Sequence, residues 1–494
     1  MKKILVIGIV IGFFSSAYTQ YEYSSFTESG RGASTTFATD YHALGINPAN
    51  LGWASQFDDK RFTLGFNEFS FSVHSQALTK QELRDEFKGL IKGESNNFTW
   101  AQKRQAARDF VDAGFAMNAD YGTFGFSFQT EKFGGIAFRI NDRFQWYSKL
   151  GAEASEILFL GYNASYFDSL LVIDPNTFDT TVIANSPNLD ETTLNNVLSG
   201  FANNPRYISQ IMDGSQLSGV WYREFNLSYG RKIFGKDSLI EIFAGGGIKY
   251  LQGLAMINVS SNGGNYEAFS AITPFFNIDY GTAANTNPST VAQTGLLPNA
   301  VGQGFGADIG LNLLLFNKLK IGASVTNIGS IAWSGNVYSA KDTLLYDTEN
   351  EGLNSYNIAG QFSALSGEDG LFRWEGEQQR VVALPTMMRF GASYRFSDKL
   401  EVGADIIVPG NEVPGNLDRA IIGIGGDVSP VKWLRLSAGM VTGGNYDLQM
   451  PLGVMFRSSS GSWEGGIASR DAITFFTQNG PTLSTAFGFS RFRF

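Results

Sequence analysis

The stretch "MRFGASYRFSDKLEVGADIIV" (Met388–Val408) holds two alternating runs joined by a short polar link. In the first, Met388, Phe390, Ala392, Tyr394 and Phe396 alternate with Arg389, Gly391, Ser393 and Arg395. In the second, Leu400, Val402, Ala404, Ile406 and Val408 alternate with Glu401, Gly403 and Asp405. Successive side chains of a strand point to opposite faces, so each run has one apolar face and one that is charged or small. The same pattern recurs upstream. Leu319, Ile321, Ala323 and Val325 alternate with Lys320, Gly322, Ser324 and Thr326, and Ile240, Ile242, Ala244, Ile248 and Tyr250 with Glu241, Gly245, Gly247 and Lys249.

A soluble sandwich also alternates, with its apolar face turned inward. Two features favour the inverted arrangement, in which the apolar face meets lipid and the polar face lines a lumen. Many runs reach the roughly 9–11 residues that cross a membrane as a tilted strand. The connections are also asymmetric: short polar links ("TEKFGG", "FGKD", "FNKL", "SDK", "SPVK", "SSSGS") separate longer, more varied segments. Tight turns on one side and long loops on the other are the habit of outer-membrane barrels. Laid out on that rule, strands fall near 61–75, 119–130, 133–150, 216–232, 238–258, 302–315, 319–334, 383–396, 399–409, 419–429, 433–443, 449–458, 462–476 and 482–494. The expected fold is therefore all-β, a transmembrane antiparallel β-barrel of about fourteen strands over 61–494. "SEILFLGYNASYF" and "LNSYNIAGQFS" also read as strand and fall in outer loops.

Composition agrees. The chain of 494 residues carries 57 Gly, 42 Phe, 19 Tyr and 8 Trp against 13 Pro, a balance that favours sheet over helix. No Pro/Ser linker or charge block divides it. A formal charge of −9 argues against a nucleic-acid partner. There is no Cys, which excludes disulfides and thiolate metal sites, and the two histidines, His42 and His74, lie 32 residues apart and give little support to a histidine-based metal site or triad. The expectation is a protein without enzymatic activity and without cofactor or metal.

Lys2 and Lys3, the apolar run Ile4–Phe14 and the small residues Ser15–Ala17 make 1–17 an expected signal peptide, which implies export. At the other end "SRFRF" places Phe492 and Phe494 on the final strand. That aromatic terminus resembles the signal read by the barrel-assembly machinery of the outer membrane. Leu483, Phe487 and Phe489 lie in the opposite phase to Phe492 and Phe494, which a bulge near Ser490 or inward-packed aromatics would explain.

Helices are expected in the outer loops 76–118 and 168–215. Thr79 and Glu82 can form a capping box with Leu78 stapled to Leu83, followed by Phe87, Leu90 and Ile91; Thr99 and Gln102 repeat the box before Phe110 and Val111. A further helical pair is expected across Leu194–Leu198 and Tyr207–Met212, and a strand-like insertion across Glu156–Ala184. These loops suit either a lid or a docking groove.

A lumen about fourteen strands wide is too broad for wall side chains to fill, so something must plug it. Segment 18–60 is the candidate: Gly30, Gly32, Ala33, Ser34 and Ala38 let a backbone thread a confined space, and Asn47-Pro48 marks a fixed turn. With Gly30-Arg31-Gly32-Ala33, Asp40 and Asn47-Pro48-Ala49, it resembles the N-terminal hatch of the FadL-like outer-membrane family of fatty-acid and hydrocarbon transporters. The hairpin "FGADIGLNLLLFNKLKIGASVTNIGSIAW" and "LPTMMRFGASYRF" resemble that superfamily and its PorV-like branch. The resemblance implies a bacterial outer-membrane channel surrounded by lipid that takes up a fatty acid or other hydrophobic small molecule and releases it sideways through a kinked strand. Asn141-Asp142, poor strand formers in the third strand, are the expected kink. The PorV-like branch implies instead a docking component for a protein of the type IX secretion system. The inward charges Lys249, Lys320, Arg389, Arg395, Glu401, Asp405 and Arg435 are mixed in sign and expected to be solvated or paired with the hatch.

Overall fold

The computed structural model describes residues 25–57, 59–92, 97–235, 239–358, 361, 366–367, 370–444 and 446–494. The expected signal peptide, 1–17, lies outside the described residues.

Fourteen antiparallel strands close into a barrel. In chain order they are β1 (Phe62–Ser75), β2 (Phe115–Thr130), β3 (Gly134–Lys149), β4 (Ser215–Phe234), β5 (Ile240–Asn262), β6 (Gly302–Leu315) and β7 (Leu319–Trp333). The second half comprises β8 (Met387–Ser397), β9 (Leu400–Pro409), β10 (Ile421–Val431), β11 (Leu434–Gly443), β12 (Leu452–Arg457), β13 (Trp463–Ser469) and β14 (Thr482–Arg493). Each pairs with the next, and β1 pairs with β14 from Thr63↔Arg493 to His74↔Thr482, so no edge is left open. The chain end helps shut the seam: the Phe494 amide donates to the Phe62 carbonyl at 2.8 Å, and the Arg61 amide to the Phe494 carbonyl at 2.8 Å.

The faces follow the alternation. Phe390, Tyr394, Phe396, Val402 and Ile406 are exposed on the outer wall, whereas Arg389, Ser393 and Asp405 are buried inside. Ile248, Phe305, Ile424, Val454 and Ile467 extend the apolar exterior around the ring. An apolar band on a closed sheet, every backbone group paired within it, is the surface that hydrocarbon tolerates and water does not.

Irregularities in the strands reset the phase, among them two that bear on the expected pattern. The β13–β14 register shifts between Glu464 and Gly466, opposite Ser490, so that Leu483, Phe487 and Phe489 and then Phe492 and Phe494 all face outward. Asn67, with φ at 52°, turns Glu68 inward in β1, and β2 carries an extra residue at Thr123 against β3.

The loops at the long end build a cap. Helices α2 (Lys80–Lys92), α3 (Trp100–Asp109) and α4 (Ala152–Leu160) contribute. Both expected capping boxes form: the Glu82 amide donates to Thr79 Oγ1 at 3.3 Å and the Thr79 amide to Glu82 Oε2 at 2.8 Å, with the same exchange between Thr99 and Gln102. Leu78, Leu83, Phe110, Phe159, Leu217, Tyr338 and Trp374 meet in one apolar cluster that joins the loops to the upper strands. A separate four-stranded loop sheet contains Val197–Tyr207, flanked by Ser169–Ile173 and Leu344–Thr348, with Thr180–Ala184 at its rim.

Several expectations are corrected. The first part of the strand-like "SEILFLGYNASYF" is helical, as the end of Ala152–Leu160: a short apolar run has no period that separates a buried strand from a buried helix, and here Gly151 and Gly161 flank the helix. The helical pair expected over Leu194–Leu198 and Tyr207–Met212 shrinks to single turns, Glu191–Leu194 and Ile208–Ile211, around a strand whose neighbours on both sides satisfy its backbone. The strand expected to run to 476 ends at Ser469, because the Asp471 carboxylate accepts the Ile473 and Thr474 amides at 2.9 and 3.2 Å and bends the chain. The described part of "LNSYNIAGQFS" forms no strand.

Candidate functional site

Residues 25–57 lie inside the barrel, in the half nearer the short turns, and most of them are buried. Small wall residues make room for them. The Arg31 carbonyl fills the place where a Cβ on Gly425 or Gly439 would stand, and the Tyr41 ring occupies that of Gly65 and Gly125. The segment ends in α1 (Asn50–Phe57), whose Leu51 and Trp53 pack on β3 and β5 through Ala137 and Phe243.

Every residue of the expected motif falls in this segment. Gly30 touches β12 at Gly453, and Gly32 (φ 79°) turns against Val441 of β11. The Arg31 guanidinium is bidentate on Asp427, Nε to Oδ1 at 2.7 Å and Nη2 to Oδ2 at 2.6 Å, and its Nη1 also reaches Glu28. Asp40, held at φ 52°, pairs with Arg491 of β14 and accepts the His42 amide at 3.0 Å. The Asn47 amide lies 2.7 Å from that of Asn312, which lies 2.7 Å from Asn50, and Pro48 rests against Gly230 and Gly245. Ala49 is fully buried, and its amide donates to Asn47 Oδ1 at 3.1 Å.

Burial pushes the Glu28 carboxyl above its ordinary range, with Arg31 pulling it part of the way back. Burial also works against charge on Arg31, yet Asp427 and Glu28 more than offset it and hold the guanidinium firmly protonated. Tyr41 is raised by burial and by Glu68 beside it.

The wall around the segment is polar, and buried apolar residues of β4, β5 and β7, among them Leu251, Ile331 and Trp333, cluster elsewhere inside. His42 Nε2 lies 2.9 Å from Glu68, which Arg139 also approaches at 3.3 Å. Lys249 sits 3.0 Å from Asp308 and 2.6 Å from Asn327. Asp405 accepts the Thr35 amide at 2.8 Å, and Arg389 donates to the Ser34 hydroxyl at 3.2 Å, so two of the inward wall charges expected to meet the segment do so. Lys320 pairs with Glu401 at 3.0 Å.

The apolar concavities lie off the lumen axis. A groove of about 530 Å³ runs between α3 and α4 on the cap, lined by Ala107, Val111, Leu160 and Phe167 together with polar residues that include Arg104, Arg108, Glu156 and Asp168. A second, of about 660 Å³, lies on the outer wall over β2, β3 and β4, where Tyr121, Ile140, Phe144, Trp221 and Phe225 face the loop residue Leu297. Asp142 belongs to this outer groove and accepts from Arg223 Nε at 3.1 Å.

The kink expected at Asn141-Asp142 is not there. β3 pairs through both residues with β4 (Asn141↔Glu224, Asp142↔Arg223) and with β2 (Gly122↔Asn141, Tyr121↔Asp142). Asn141 is tolerated because it points into the polar lumen beside Asp120, and Asp142 because Arg223 partners it, which strand propensity alone does not register. An irregularity lies instead in the neighbouring strand β2 at Thr123, beside Asn67 of β1. Phe492 and Phe494 both stand on the outer surface.

Sequence reading missed the wall partners, Asp427, Glu464, Arg491 and Glu68. Their signal was inward phase in an otherwise small or apolar neighbourhood, visible for Asp427 and Glu464, whereas Glu68 and Arg491 lie next to the phase-resetting residues.

A model of a family of unknown function, DUF5723, matches residues 54–408. No curated protein matches the sequence. Among solved structures, the chain is similar to the Pseudomonas putida toluene transporter TodX (12% identity, 97% of this chain and 99% of that one, TM-score 0.41). It is also similar to a deltaS2S3 mutant of the TodX monoaromatic hydrocarbon channel (10%, 95% and 98%, 0.43) and to a Pseudomonas aeruginosa FadL homologue (12%, 96% and 97%, 0.37). Likeness this distant adds nothing to the barrel that the strand pairing itself establishes.

Proposed function

Given that the chain belongs to the DUF5723 family, which itself carries no assigned function, we propose that it is an outer-membrane channel for hydrophobic small molecules, with residues 18–60 as its hatch. One observation carries the reading: the lumen around residues 25–57 is polar and obstructed by that segment, while concavities with apolar walls lie on the cap and on the outer wall. A water-filled pore would favour polar solutes. A greasy solute gains nothing from such a lumen and is better held in a cap groove, then released beside lipid. The Arg31–Asp427 and Asp40–Arg491 pairs give the hatch a latched state that a bound solute would have to bias.

The test is uptake by proteoliposomes of a monoaromatic hydrocarbon and of a fluorescent long-chain fatty acid. Faster entry than into empty liposomes, slowed by Leu160→Glu in the cap groove, is expected; equal entry with and without protein rejects the function. Deleting residues 25–57 is expected to raise the leak of small sugars, and an unchanged leak rejects the hatch.

A second reading, docking of a secretion-system protein, is favoured by one feature. Thr180–Ala184 is a rim strand of the loop sheet, with Val182 65% and Phe178 74% exposed, and an open strand edge is a template for β-addition. Stable co-purification of a secretion subunit that Val182→Pro abolishes would favour it.

A further inference from the structure

At the short-turn mouth of the lumen a cavity of about 390 Å³ opens beneath residues 25–57. Arg435 of β11, Arg457 of β12 and Arg491 and Arg493 of β14 converge there on one carboxylate, Glu464 of β13, at 2.9, 3.3, 2.6 and 3.5 Å. Arg491 also reaches Asp40. With Arg31, which holds Glu28 and Asp427, five guanidinium groups face four carboxylates, and 5 − 4 leaves one positive charge in excess. The remaining acids around the cavity do not supply the difference. Glu401 is taken by Lys320 and Asp398 by Arg395, while Asp59 is exposed at the mouth beside Lys60.

The donors are in excess as well. Each guanidinium carries five N–H groups and each carboxylate accepts about four hydrogen bonds. Arg435 Nη2 is engaged with Glu464, but Arg435 Nε and Arg491 Nε are sealed from solvent and make no hydrogen bond within the described residues. Arg435 and Arg491 side chains retain 14% and 5% of their accessible surface. Desolvated guanidinium groups without acceptors cost free energy that an added acceptor recovers.

We propose that this basin binds a small multivalent oxyanion, inorganic phosphate or a phosphate monoester, entering from the short-turn side. A tetrahedral oxyanion offers oxygens to several guanidinium forks at once, which chloride and a single carboxylate do not. Its site lies where the wall arginines meet residues 27–42, since Thr27, Glu28, Arg31 and His42 also line the cavity. A bound phosphate therefore ties that segment more firmly to β11–β14. The inference is independent of any hydrophobic cargo.

The test is thermal unfolding of the purified barrel in detergent, titrated with inorganic phosphate and separately with glycerol 2-phosphate, against sodium chloride at matched ionic strength. A saturable rise of about a few degrees with phosphate is expected from preferential binding to the folded state. A response to the ester as well assigns the site to esterified phosphate; a response to the free ion alone assigns it to inorganic phosphate. The double variant Arg435→Gln/Arg457→Gln, checked for folding by heat-modifiable gel mobility, is expected to weaken the response at least tenfold, while Arg108→Gln on the cap leaves it intact. Should the double variant not fold, phosphorus-31 line broadening by wild-type protein decides, and unbroadened lines overturn the proposal. Equal responses to phosphate and chloride, or a double variant that responds like wild type, also overturn it.

Discussion

Arg31 shows how much of the interior depends on single charges. It is 2% exposed and fixed by Asp427 and Glu28, and removing Asp427 takes away its bidentate partner and leaves Glu28 alone to hold a buried charge. Asp427→Ala is therefore expected to loosen residues 25–57 without opening the barrel, seen as new protease cleavage within the segment while gel mobility stays that of the folded form. Glu28 gives the same region a pH dependence. Its folded-state pKa is raised, chiefly by burial, so the folded chain holds that proton more tightly than the unfolded one. The contribution is complete below an ordinary glutamate pKa of about 4.3 and is lost as pH climbs through the raised value. Glu28→Gln, which mimics the protonated carboxyl, is expected to flatten that part of the melting-temperature profile between pH 4 and 7. An unchanged slope would assign it to another group.

At the level of elements, the wall and the cap answer to different physics. Wall strands are held by ladders on both sides, whereas α3 depends on its cap and on the apolar cluster behind it. Thr99→Ala is expected to cost about 1 kcal/mol through the lost capping bond, and Phe110→Ala about 3–5 kcal/mol through the cavity left behind. Hydrogen exchange should show both losses in α3 and α4 and not in β8 or β9; uniform deprotection would mean that cap and barrel unfold as one. This division also explains what the sequence made legible. In the wall, period-two alternation recurs from strand to strand, so even the phase fault near Ser490 could be traced to a bulge. Both capping boxes were readable because their residues are three apart in sequence. The loop sheet was not, since Val197–Tyr207 contains Asn203-Asn204-Pro205 and is a strand only because distant segments flank it. For the same reason the motif residues Arg31 and Asp40 could be picked out, but not their partners almost four hundred or more positions away.

For the molecule as a whole, the filled lumen imposes an order of events. Residues 25–57 join β1 through only a few residues, and β1 is also the strand that β14 must find to complete the ring. Asp40 is gripped by Arg491, which belongs to that last strand. A ring that shut first would exclude its own contents, because the only routes back in are the turn-lined mouth and the capped one. The segment must accordingly be gathered while the seam between first and last strands is still apart, much as a ship is laid in its bottle before the glass is sealed. Arg491→Ala is expected to yield, on refolding into detergent, a subpopulation of closed barrels whose residues 25–57 are digested by chymotrypsin, and refolding in the presence of a synthetic 25–57 peptide should not rescue them. The N-terminal residues would then be a passenger that boards early, and the final strand the door that closes behind it.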